Sequence, residues 1–267
     1  MKKMKEVLST PSRSLPPTVS KYARDTEIEE FFDQAIRAKR DKIEAEHKAK
    51  YPNGRERFYV SEFGTIFGDN ACWRHLWYDF HGHPGEPLGQ DSLNNFELGD
   101  VWGLRVANIF SGEGVVHKTE FRVNFDPWPV SGRLDILMAP SLKRVVEVKT
   151  AALRQQPYLP KEDHVGQLNM YLHKILDDPE YQGWKGSLFY SFKDAAMGQP
   201  TRLAFTVEYD PEAALKFLDT TSKAYAAVTG DALPDRPMGF TASKFPCSYC
   251  THADECWNRP DPKEGVK

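Results

Sequence analysis

Hydrophobic positions change period along this chain, and the changes mark its elements. Over 26–50, Ile28, Phe31, Phe32, Ala35, Ile36 and Ile43 recur every three or four residues, while Arg37, Lys39, Arg40, Lys42, Glu44 and Glu46 fill the remainder. That spacing predicts a long amphipathic helix, stopped by Pro52, Asn53 and Gly54, whose apolar stripe serves ordinary packing. A short aromatic helix is predicted over 72–80, a Gly/Pro-rich loop over 82–89, and a further helix over 95–110 with Leu98, Val101, Trp102, Ile109 and Phe110 on its inner face. From 115 the period drops to two, which predicts strands at 115–123, 130–138, 144–150, 186–192 and 202–209. A helix over 162–176 separates the third strand from the fourth. Asp210-Pro211-Glu212, a cap followed by proline at the first helical position, opens the last helix, to about 228. The reading is an α/β fold: a mixed β-sheet flanked by helices, with a helical extension in front and a cysteine-rich tail behind.

Length divides this further. The chain has 267 residues, enough for one domain with appendages. We expect a basic arm and amphipathic helix over 1–57, a core over 58–244 and a metal-binding tail over 245–267. Residues 1–24, rich in Ser, Thr, Pro and Lys, are expected to form a mobile arm. No apolar run approaches the ~18 residues of a membrane span, and no signal-like apolar segment follows the early lysines, so a soluble, cytoplasmic protein without a membrane partner is expected. The net charge of −3 advertises no polyanionic partner for the molecule as a whole, so any nucleic-acid surface must be local. There is no phosphate-binding loop, which leaves ATP-driven unwinding to a partner.

The most informative text is 132–150. Glu147 and Lys149, two apart on a strand, share a face while Val146 and Val148 take the other. A hairpin centred on Ser141 sets Asp135 opposite Glu147, where like charges are destabilising unless a cation lies between them. A Glu, an Asp and the carbonyl of Val148 are hard oxygen ligands suited to Mg²⁺ or Mn²⁺, and Lys149 beside them can hold a water or offset charge on a phosphate. The chemistry implied is phosphodiester hydrolysis.

The four cysteines are Cys72, Cys247, Cys250 and Cys256. The last three form a C-x2-C-x5-C group, and Cys72 completes four thiolates. Spacing alone leaves zinc and an iron-sulfur cluster both open, with His252 as an alternative ligand. His75, His81 and His83 fit no metal pattern and are read as solvated. Trp73, Trp77 and Tyr78 are weak candidates for stacking on single-stranded bases.

Gly132-x-x-Asp135 followed by Glu147-Val148-Lys149 resembles the active-site signature of the PD-(D/E)XK nuclease superfamily. Gln167 and Tyr171 match the Q-x-x-x-Y motif of its RecB-like branch. One cysteine before the core and C-x2-C-x5-C after it resemble the CRISPR-associated and phage exonucleases that carry a 4Fe-4S cluster, and the likeness runs from about Ser61 to Trp257. The resemblance implies a restriction-endonuclease-like fold and a Mg²⁺- or Mn²⁺-dependent deoxyribonuclease, an exonuclease. It implies roles for Gln167 and Tyr171 in holding DNA or orienting Lys149, and it adds Glu120 as a further acidic site residue. It also implies DNA, single-stranded or with free ends, as partner, alongside a recombination or CRISPR-adaptation protein. The family's early-helix histidine is missing: Gly103 stands in its place, and either Asp100 or Glu97 substitutes or the metal has one fewer protein ligand. That gap keeps open an inactive DNA-binding or adaptor subunit with a structural four-cysteine metal site.

Overall fold

The computed structural model describes residues 26–52 and 54–258, so the arm expected at 1–24 lies outside the described residues. In chain order the elements are α1 (Thr26–Lys50), β1 (Phe58–Tyr59), α2 (Phe63–Ile66), α3 (Trp73–Phe80), α4 (Gln90–Gly112), β2 (Val116–Asn124), β3 (Val130–Met138), β4 (Arg144–Ala151), α5 (Glu162–Leu176), β5 (Lys185–Phe192), β6 (Arg202–Val207), α6 (Pro211–Val228) and α7 (Ala253–Asn258). Among the described residues the strands make one six-stranded mixed sheet, running β1, β3, β4, β5, β6 with β2 also on β3. The β1–β3 and β4–β5 pairs are parallel, and the β2–β3, β3–β4 and β5–β6 pairs are antiparallel. No helix among the described residues is long and apolar enough to cross a membrane.

The core lies on both sides of the sheet. On one face α5, α6, α3 and α2 bury Leu168, Leu172, Phe217 and Leu76 against Leu134, Leu137, Val145 and Leu188. On the other, Val106 of α4 packs with Ile136, Met138 and Val146, edged by Phe110, Val148 and Phe189. Asp210 caps α6 as expected, its carboxylate accepting from the Ala213 N–H at 3.0 Å.

Three expectations change. The α1 stripe is not core: of its apolar residues only Ile36 is buried, while Phe31 and Phe32 are 70% and 59% exposed. The helix instead seats on α4 through polar groups, with Arg37 donating to Gln90 at 3.1 Å and Lys39 to Glu97 at 2.5 Å. Helix α4 begins five residues before the expected start, and its inward residues are Leu93 and Val106, leaving Val101 and Ile109 exposed. β1 and α2 were not expected, because two strand residues and a single helical turn are too short to carry a period.

Candidate active site and thiol cavity

β3 organises the site. β2 pairs along one of its edges, from Ser131 to Met138. The opposite edge is shared: β1 takes Val130 and Ser131, and β4 takes Ile136 and Leu137. The stretch from Gly132 to Asp135 therefore faces no strand on that edge, and side chains fill the gap. The Tyr171 hydroxyl, from α5, accepts the Arg133 N–H at 3.3 Å and donates to the Arg133 carbonyl at 3.0 Å. Gly132 makes room for it, since a Cβ there would lie 2.7 Å from the Tyr171 ring and 2.9 Å from Val60. Next along the gap, an Asp135 carboxylate oxygen accepts the Val148 N–H at 2.7 Å, in place of a ladder bond. The observed pairs Ile136↔Val146 and Leu137↔Val145 keep the register that sets Asp135 opposite Glu147.

Glu147 is 2% exposed. Its Oε1 accepts from Lys149 Nζ at 2.7 Å and from Gln167 Nε2 at 2.8 Å, and Lys149 donates a second bond to Gln167 Oε1 at 2.8 Å. The three side chains close a triangle that fixes the ammonium group. Glu147 Oε2 is buried and has no hydrogen-bond partner among the described residues. Burial pushes Glu147 up to about 8, with Lys149 pulling down and the charges of Asp135 and Glu120 adding to the rise. Burial is also the main cause raising Asp135, against the Val148 N–H and Lys149. Two carboxyls that resist ionising together, one with a bare buried oxygen, form a donor set suited to a hard dication, whose charge reverses both effects.

Glu120 lies level with Asp135, between the pairs Thr119↔Ile136 and Phe121↔Leu134. Its φ of 52° is in the left-handed region, which a non-glycine residue occupies at a cost. Its carboxylate pairs with Arg133 Nε at 2.5 Å.

Several expectations are corrected. Asp100 is exposed on α4, where its charge and that of Glu97 act on Lys39 of α1. Both proposed substitutes for the early histidine are thus turned to the α1 seat. Tyr171 is 2% exposed and bonds to the β3 main chain, which braces Asp135's strand, while Gln167 bonds Lys149 directly. Trp77 and Tyr78 are core residues and Trp73 donates to the Ile66 carbonyl at 3.0 Å, which removes them as stacking platforms.

The four cysteines, all half-buried, line one cavity of about 260 Å³ with His75, Tyr78 and Trp257. Burial pushes the Cys72, Cys247 and Cys250 thiols up, Cys250 to about 11, and the neighbouring thiols add to each rise. Four sulfurs sharing one cavity are a donor set suited to a soft metal centre. His75 is not a solvated histidine: its Nδ1 lies 3.3 Å from Cys250 Sγ. His252 is buried and bonds to Asp79 at 2.9 Å. The ligand sets are not drawn tight. Among the described residues no three His, Cys, Asp or Glu side chains are grouped closely enough to hold a metal ion. Protein donors occupy Asp135 and Glu147 Oε1. His164, not among the expected site residues, stands one helical turn before Gln167.

The sequence model of the PD-(D/E)XK nuclease superfamily matches residues 17–257. No curated protein matches the chain. Among solved structures, SSO0001 superposes with a TM-score of 0.53 at 19% identity, covering 86% of this chain and 96% of that one. An alkaline exonuclease, LHK-Exo from Laribacter hongkongensis, gives a TM-score of 0.50 at 10% identity, over 65% of this chain and 88% of its own. A phage-related exonuclease from Haemophilus somnus gives 0.44 at 12% identity, over 63% and 93%.

Proposed function

The chain belongs to the PD-(D/E)XK nuclease superfamily, and on that footing we propose that it hydrolyses phosphodiester bonds in DNA, as an exonuclease, at the site built on Asp135, Glu147 and Lys149. The observation that carries the proposal is the buried, unpartnered Glu147 Oε2 beside a second carboxyl and a braced ammonium group. Asp135, Glu147 and the Val148 carbonyl would hold Mg²⁺ or Mn²⁺, with Glu120 as a further acidic neighbour. The bound ion supplies Lewis acidity and a water of lowered pKa. Lys149, fixed by Glu147 and Gln167, orients the water and offsets charge developing on the phosphate. Gln167 anchors the ammonium group through its Oε1, and Tyr171 holds β3 so that Asp135 keeps its height. The likeness to LHK-Exo, described as an alkaline exonuclease, supports action at DNA ends.

At the second centre Cys72, Cys247, Cys250 and Cys256 would carry a 4Fe-4S cluster in a structural role, tying the tail to the core. The shared cavity and the soft donor set support it.

Lys149→Ala tests the first centre. Cleavage in Mg²⁺ or Mn²⁺ is expected to fall by about 100-fold or more while DNA binding survives. Cleavage at the wild-type rate in Mn²⁺ overturns the assignment. For the second centre, protein purified without oxygen is expected to be brown, with about four iron and four sulfide per chain. Colourless protein containing zinc overturns it.

A further inference from the structure

We propose that His164 is a further residue of this site, presenting its Nε2–H as a neutral hydrogen-bond donor to a phosphate oxygen of the bound strand beside Lys149. The inference rests on the nuclease reading above and deepens it. Two independent placements bring the imidazole to Lys149. Tyr190 of β5 is the register partner of Lys149 of β4, and its hydroxyl lies 2.8 Å from His164 Nδ1. From the helix side, His164 stands three residues before Gln167, on the same face of α5, and Gln167 is bonded to Lys149 at 2.8 Å.

On this proposal the Tyr190 hydroxyl, which accepts the Lys161 N–H at 3.2 Å, gives its own proton to His164 Nδ1, 2.8 Å away. A neutral ring that accepts at Nδ1 carries its hydrogen on Nε2. Among the described residues Nε2 has no hydrogen-bond partner, and the ring is half-buried. Burial first, and then the charge of Lys149, hold the imidazole down to about 4, so the ring stays uncharged at neutral pH. A second cation would repel Lys149 across a low-dielectric site. A neutral donor adds a bond to the phosphate and leaves the ammonium group where Glu147 and Gln167 hold it.

The competing role is a brace, with His164 needed only to anchor Tyr190. Gln and Asn separate the two, since a Gln amide reaches the place of Nε2 and an Asn amide only that of Nδ1. If His164 touches the substrate, His164→Gln keeps KM for DNA within about threefold of wild type, while His164→Asn and His164→Ala raise it about tenfold or more with kcat less affected. Rescue by Asn and not by Gln, or no change in any variant, overturns the proposal. Nitrogen-15 NMR of histidine-labelled wild-type protein gives a reading that no variant's folding can disturb: His164 is expected as the neutral Nε2–H tautomer, and a proton on Nδ1 overturns the assignment. Wild-type protein that binds a short duplex but leaves it uncut in both Mg²⁺ and Mn²⁺ overturns the nuclease reading alone, and the same order of variants is then read from Kd. Wild-type protein that binds no DNA overturns both.

Discussion

At Glu147 burial and charge pull in opposite directions, and stability measured against pH separates them. Its folded carboxyl holds a proton up to about 8, against an ordinary value of 4.5, with burial the first cause. The folded form therefore binds the proton more tightly than the unfolded chain does. This contribution is fully present below the unfolded value and is lost as pH rises through the folded one. In a chelator, the melting temperature of the protein is expected to fall between about pH 5 and pH 8 on this account, and Glu147→Gln to flatten that slope. Mg²⁺ is expected to restore the melting temperature of the wild type at the upper end, and an unchanged slope in Glu147→Gln would assign it to other groups. Gly132 makes a second prediction. A methyl group there meets the Tyr171 ring at 2.7 Å and Val60 at 2.9 Å, so Gly132→Ala is expected to cost about 1–3 kcal/mol in urea unfolding and to lower cleavage by displacing the brace on β3. Asp135, Glu147 and Lys149 were legible in the sequence because charge on a valine-rich strand stands out. The bare Oε2 and the Tyr171 bonds were not, since both depend on where α5 comes to rest.

Among the elements, α5 does more than cover the sheet. Asn169 is buried and clasps the start of α6, donating to the Asp210 carbonyl at 2.8 Å and accepting the Asp210 N–H at 2.9 Å. Asn169→Leu keeps the volume and strands both main-chain groups. It is expected to cost about 2–4 kcal/mol, read as a lower urea midpoint at unchanged slope. A midpoint shift no larger than that of an exposed α5 substitution would show that water replaces the amide. Periodicity located every long element, because period two and period 3.6 reflect which side chains meet the core. It failed on the buried faces of α1 and α4. α1 rests on a second helix through Arg37 and Lys39, where no stripe of apolar residues need point inward. The gap between β1 and β4 on one edge of β3 was likewise invisible, since a two-residue strand leaves no pattern.

For the molecule as a whole, the thiol cavity joins chain segments that are far apart in sequence, Cys72 ahead of α3 and the three cysteines from 247 to 256. A centre bound there closes a loop containing all of the sheet except β1, and such a closure stabilises the folded state. If the proposed cluster is bound, Cys72→Ser is expected to lose its visible absorbance and to lower the melting temperature, and an unchanged melting temperature would show that the tail holds by packing alone. The order of synthesis adds a constraint. The ribosome delivers all six strands before Cys247, so the four-sulfur chamber cannot exist until the sheet's full sequence has emerged. If the proposed cluster is carried there, its insertion must follow synthesis of the whole sheet, and cells starved of iron are expected to accumulate colourless chains.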